Sequence, residues 1–288
     1  MFKAILDTFV SSLYEMFMLF PYLYLTYLLM EYLEHKMSRR ELIFVRKSKE
    51  YGPIIGGILG IIPQCGFSVS FANLYATGLI SLGTMLAIFL STSDEMLPIL
   101  ISRGGESSTI TIILLTKLLY AIIVGLLIDR FLPQSFIKNK KEPNISAFCK
   151  QEKCKCSDEK ENIYKSAFKH TEKICIFIFI FSFIVRLAFL FGDYEVIKGI
   201  MLNYPIMGKF IVSFVGLIPS CYPSVLLTEL YLDGVISVAT MITGTLSNSG
   251  LGLLVLYRVN SNKEETARII ALIYVISVIL GIITEAIL

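Results

Sequence analysis

Two cysteines, Cys65 and Cys221, stand 156 residues apart, each inside an apolar stretch and each two residues after a proline. Their surroundings are Pro63-Gln64-Cys65-Gly66 and Pro219-Ser220-Cys221-Tyr222-Pro223. Proline withdraws an amide from a helix and clashes with the turn before it, so both motifs are expected to break their helices, at Pro63, Gly66, Pro219 and Pro223. A pair of soft thiolates would bind As(III), zinc or copper(I); the alternative is a small residue packed at a tight turn. A second locus carries harder chemistry. Ser91-Thr92-Ser93-Asp94-Glu95 places hydroxyls and two carboxylates in an otherwise apolar run. Carboxylates inside a membrane are costly and functional by default. They would coordinate a hard cation or carry a proton in exchange; the alternative is a solvated helix end. A third locus, Cys149, Cys154 and Cys156, lies among lysines that would lower thiol pKa values. It reads either as a speculative soft-metal site or as incidental thiols in a linker.

The elements that must position these groups are membrane segments. The 288-residue chain is 55% hydrophobic and 17% charged, with mean hydropathy +0.70. A soluble domain has about 25% charged residues. Apolar segments run over 10–35, 52–77, 79–102, 109–131, 171–191, 206–232, 235–257 and 267–288, most near the length that crosses a hydrocarbon core. They are continuous rather than alternating, which argues against a membrane barrel. The fold class expected is an all-α polytopic membrane protein, with the lipid bilayer as its main partner. Tyr, with 15 copies and no Trp beside it, is left for the interfacial belt. No cleavage site follows the first apolar run, so it is expected to be retained. A net charge of +3, with the lysines clustered where topology wants them, argues against nucleic acid. Lys117 and Arg186 also fall in apolar segments, and would pair with Glu31 or Glu285 or reach for the headgroups. Glu31, Glu34 and His35 read as interfacial.

An internal repeat organises the chain. Residues 60–100 align with 216–256 without a gap, and 18 of the 41 pairs are identical. Pro63/Pro219, Cys65/Cys221, Ser68/Ser224, Gly78/Gly234, Ser91/Ser247 and Ser93/Ser249 are among them, and the register persists to Asp129/Glu285. Residues 1–131 and 171–288 are thus expected to be two transmembrane repeats, joined by a Lys- and Cys-bearing linker over 132–170. The interval 36–50 holds six Lys or Arg, whereas its counterpart 192–206 holds Asp193, Glu195 and a single Lys198. Basic loops stay in the cytoplasm, so the repeats are expected to be inverted, with 36–50, 132–170 and 258–266 inside. Inversion needs an odd number of crossings per half, yet each half has four apolar segments. The conflict resolves if 52–77 and 206–232 enter, turn and return; the alternative is a Pro-kinked spanning helix.

The stretches Gly60-Ile61-Ile62-Pro63-Gln64-Cys65-Gly66-Phe67-Ser68 and Phe89-Leu90-Ser91-Thr92-Ser93-Asp94-Glu95 resemble motifs of a ten-helix heavy-metal exporter family, also described as arsenic efflux proteins or manganese transporters. Gly216 to Glu229 resembles the matching motif of its second half. The resemblance implies export of a toxic metal or metalloid across a bacterial inner membrane. Joined to the residues, it gives a secondary-type transporter with no resident cofactor, carrying arsenite or a divalent metal such as manganese, with proton coupling open. An uncoupled channel is the alternative and a membrane-embedded enzyme a weaker one. No Gly-x4-Gly-Lys-Ser/Thr phosphate loop is present, and two histidines do not suit a zinc protease. Candidate substrate-binding residues are Cys65, Cys221, Gln64, Ser68, Ser91, Ser93, Asp94, Glu95, Asn73, Glu229, Ser247 and Asn248. Asn73 and Glu229 are repeat partners, whereas Asp94 and Glu95 face Gly250 and Leu251 across the repeat. Oligomeric state is not legible.

Overall fold

The computed structural model describes residues 51–132, 163–190 and 205–287, without 63, 64, 94, 105 and 261, and helical residues within 6–28. Cys149, Cys154, Cys156, the basic interval 36–50 and the interval 192–204 lie outside them. All regular structure among the described residues is α-helical. In the first half the helices are α1 (Gly52–Gly60), α2 (Cys65–Ala76), α3 (Leu82–Ser91), α4 (Met96–Ser102) and α5 (Ser107–Phe131). After α6 (Ile163–Leu190) come α7 (Pro205–Gly216), α8 (Tyr222–Leu232), α9 (Val238–Ser247), α10 (Gly252–Val259) and α11 (Lys263–Ile287). Adding 156 to the bounds of α3 gives those of α9, and adding it to those of α5 gives those of α11.

The local chemistry repeats with the register. Ser81 caps α3 by accepting from the Thr84 amide, and Ser237 caps α9 from the Thr240 amide. Gly78 and Gly234 take left-handed φ values of 79° and 71°. There the Gly78 and Leu79 amides bond back to the Tyr75 and Leu74 carbonyls, and the Gly234 and Val235 amides to those of Tyr231 and Leu230. Such a left-handed residue is the usual way to end a helix and reverse the chain.

Segment 52–77 is a hairpin. A Cβ built on Gly52 would meet Thr84, one on Gly56 would meet Thr84 and Ile88, and one on Gly60 would meet Ser91. Hence α1 and α3 lie side by side and point the same way, brought close by a stripe of small residues. Since α2 leads from the end of α1 to the start of α3, it must run back. The second half repeats this: Gly216 abuts Ser247 and Gly244 abuts Val212, so α7 parallels α9 and α8 returns between them.

Segments 79–102 and 235–257, read from the sequence as apolar segments, are each broken, at 92–95 and 248–251. These breaks come in addition to those expected at the Pro-x-Cys motifs. Polar side chains compete for backbone groups there: Thr92 Oγ1 and Ser91 Oγ both donate to the Ile88 carbonyl, at 2.7 and 3.1 Å, and Asn248 Oδ1 accepts from the Gly250 amide at 2.8 Å. Gly250, with φ 55°, supplies the conformation that redirects the chain. Both segments still cross. Gly125 of α5 packs on Gly83, and Lys117 is level with Thr92, so α5 runs antiparallel to α3. Its first residues extend about 15 Å past Thr92, and α4 covers that distance before the turn into α5.

The halves are inverted. Under the same offset α6 corresponds to residues 7–34, and the described helical residues among them pack antiparallel to it. Phe9 meets Phe179 and Phe183, while Phe20 and Tyr24 meet Phe168. Arg103, just past α4, pairs with Glu229 near the end of α8, which places the end of α4 beside the start of α9. Tyr75, near the end of α2, donates to Glu265 at the start of α11. That places the end of α10 beside the start of α3. Exposure separates core from rim: Val238–Val259 is almost wholly buried, whereas most of Ser107–Phe131 is not. The broken spans form the centre, and the unbroken α5 and α11 turn apolar faces outward, as lipid contact requires.

Candidate functional site

The breaks in α3–α4 and α9–α10 meet in the middle of the molecule, and one side chain joins them. Lys117, on the unbroken α5, is fully buried. Its ammonium donates to the Thr92 carbonyl at 2.5 Å and to the Thr245 carbonyl at 3.2 Å. In continuous helices those carbonyls would accept from the amides of Met96 and Ser249, four residues on. Among the described residues neither amide reaches them. Lys117 therefore supplies, from one side chain, a hydrogen bond lost at each break. An ammonium at the bilayer centre costs about 3 kcal/mol on insertion scales. Two charge-assisted bonds of about 1.5–3 kcal/mol each offset that. The ammonium also complements the negative ends of two helix dipoles. Lys117 neither snorkels nor pairs with Glu285, which instead meets Lys209 at 3.2 Å and Ser237 at 3.1 Å. Glu31 and the side chain of Arg186 lie outside the described residues.

Around this crossing the structure gathers part of the expected set. Ser91, Ser93, Ser247 and Asn248 are all buried within the two breaks or at their edges. Ser91 Oγ and Ser247 Oγ bond back to the Ile88 and Gly244 carbonyls. Asn248 Nδ2 donates to Ser224 Oγ on α8 at 2.7 Å, tying the break of one span to the returning arm of the hairpin beside it. The hairpin tips come to the same depth. A Cβ on Gly60 would stand 1.9 Å from Ser91 Oγ, and one on Gly216 would stand 2.2 Å from Ser247 Oγ. Ser68, the partner of Ser224, is buried on α2 and lies against Gly252 at the start of α10. Cys221 is buried at the start of α8, and Pro223 and Gly66 are buried beside their tips. Pro219 is half-buried.

Other expected residues are not brought here. Asn73 and Glu229 lie about 12 Å along their helices from the tips, near opposite faces of the molecule. Glu229 forms a bidentate pair with Arg103 at 3.0 and 3.1 Å. Asn73 is buried two residues before Tyr75. Glu95 is exposed at the start of α4. Pro63, Gln64, Asp94 and the side chain of Cys65 lie outside the described residues, as does the Cys149, Cys154, Cys156 cluster. Among the described residues no group of three His, Cys, Asp or Glu side chains converges.

The candidate substrate-binding set drawn from the sequence does not include Thr92, Thr245 or Ser249. The first two contribute backbone carbonyls, which no residue type betrays. Ser249 Oγ is buried and has no hydrogen-bond partner among the described residues. A signal was available in the second half, where Thr240, Thr243, Thr245, Ser247, Asn248 and Ser249 interrupt an apolar segment at close intervals.

A family model described as "Putative, 10TM heavy-metal exporter" matches residues 4–195, two thirds of the chain. No curated protein and no solved structure matches it.

Proposed function

The chain belongs to the 10TM heavy-metal exporter family, and from that premise we propose that it is a secondary-type carrier moving a heavy-metal or metalloid ion by alternating access. The observation that supports this most is the crossing itself: two inverted repeats, each with a hairpin and a broken span, put their breaks and hairpin tips at one depth. Non-helical backbone is tolerated in a membrane where it is enclosed by protein or lines a cavity. Carriers built of inverted repeats place their sites at such breaks, and rock one repeat against the other around them. In this reading the site is formed by Ser91, Ser93, Asp94, Ser247 and Asn248, with Cys65 and Cys221 at the tips. The membrane is the bacterial inner membrane, with 36–50, 132–170 and 258–266 on the cytoplasmic side, and the cargo leaves the cell. Arsenite is favoured if the thiols are ligands, and manganese if the oxygens are.

Elemental analysis of metal-loaded bacterial cells decides this. Cells expressing the chain are expected to retain less of one of the two elements than cells carrying an empty vector. Loss of that effect in the Cys65→Ser, Cys221→Ser double variant assigns the thiols; loss in Asp94→Asn assigns the oxygens. Equal retention of both elements with and without the chain contradicts the proposal.

A further inference from the structure

We propose that the Lys117 ammonium occupies the cation position of the transport site and that cargo must displace it. The inference rests on the transport reading above and deepens it by naming the ligand class and the competitor. The Thr92 and Thr245 carbonyls come from opposite repeats, each from the C-terminal end of a broken helix. Carbonyls exposed by unwound backbone, at the negative end of a helix dipole, are the groups that coordinate cations inside membranes. Here they converge on one point, and the point is held by a cation on a tether.

The repeat shows that this cation is not required by the fold of a half. Its counterpart, Ile273, is also fully buried, so an apolar side chain satisfies the same place on α11. In the sequence, Asp94, Glu95 and Lys117 of the first half stand where the second half has Gly250, Leu251 and Ile273, and Lys117 is the charge that the structure places against both breaks. Among the described residues, the helices packed most closely on α5 bring no other charge. α1, α3 and α9 contain no ionisable residue, and Glu95, three residues beyond Thr92, is exposed. The neutral donors in the breaks are oxygens: the hydroxyls of Ser93 and Ser249 and the amide of Asn248, all buried. Carbonyl, hydroxyl and amide oxygens select a hard cation over a soft one. Such a cation and an ammonium cannot share the same two carbonyls. Arrival of cargo therefore drives Lys117 off, and return of Lys117 expels cargo. A tethered competitor makes binding weak and release fast, as turnover demands.

The test measures equilibrium Mn²⁺ binding to the detergent-purified full chain and Mn²⁺ flux in proteoliposomes. It compares wild type with Lys117→Gln, which keeps N–H donors for the carbonyls but loses the charge, and with Lys117→Met, which loses both. Both variants are expected to bind Mn²⁺ about ten-fold tighter or more, because a like charge has left the site, while flux falls by a similar factor. A Gln variant that binds and transports as wild type does, or binds more weakly, makes Lys117 a brace between helix ends and overturns the proposal. Should Lys117→Met fail to fold, the Gln variant carries the test alone. If wild type moves neither manganese nor arsenic, the transport reading fails; Mn²⁺ affinity in Lys117→Gln still decides the competition.

Discussion

At the scale of single residues, the centre of the molecule is set by contacts too tight to admit one more atom. Gly60 and Gly216 let the hairpin tips touch Ser91 and Ser247. Gly60→Ala is expected to cost about 1–3 kcal/mol through overpacking, read as a lower melting temperature of the purified protein. Ser91→Gly in the same chain should restore part of it, because the clash with the Ile88 carbonyl at 2.7 Å remains. Asn248→Ala removes a donor to Ser224 and an acceptor for the Gly250 amide. Leaving that buried amide unbonded is expected to cost about 1–3 kcal/mol, by the same measurement. The serines and Asn248 were legible as candidates because polar residues are rare in apolar segments. The role of Lys117 was not. Its partners are backbone carbonyls of residues 25 and 128 positions away, and only tertiary packing selects them.

At the scale of elements, two kinds of interruption differ in how they are written. The Pro-x-Cys hairpins were legible because proline carries its effect within the residue. Counting crossings against loop charge favoured a returning hairpin and left a Pro-kinked spanning helix as the alternative. The breaks at 92–95 and 248–251 contain no proline. They depend on hydroxyl and amide side chains taking backbone partners, which the same residues need not do elsewhere. The reversals from α2 to α3 and from α8 to α9 depend on single glycines. Gly234 has φ 71° and no atom within 4 Å of a built Cβ, so substitution there meets strain without a clash. Gly234→Ala is expected to cost about 1–2 kcal/mol, and Gly234→Asn less, because Asn tolerates the left-handed region. Equal melting temperatures for the Ala variant and wild type would show that the turn is not held in that conformation.

At the scale of the whole molecule, one offset of 156 residues and one reversal of direction generate the architecture, and both were present in the sequence as identities and loop charge. The charge asymmetry between the halves was present too, but its meaning was not, since Lys117 reaches the two breaks only once α5 lies against both. The central claim is that the inverted repeats each contain a hairpin that returns to the face it entered. It makes a topological statement that labelling tests directly. In a Cys-free background, single cysteines at Tyr51, Glu106, Asp233 and Glu264 would be exposed to a membrane-impermeant maleimide from each side of sealed vesicles. The account predicts that positions 51 and 264 label from one side, and 106 and 233 from the other. If 52–77 and 206–232 instead spanned the membrane as kinked helices, 51 and 106 would label from the same side and 106 and 233 from opposite sides. That result would contradict it.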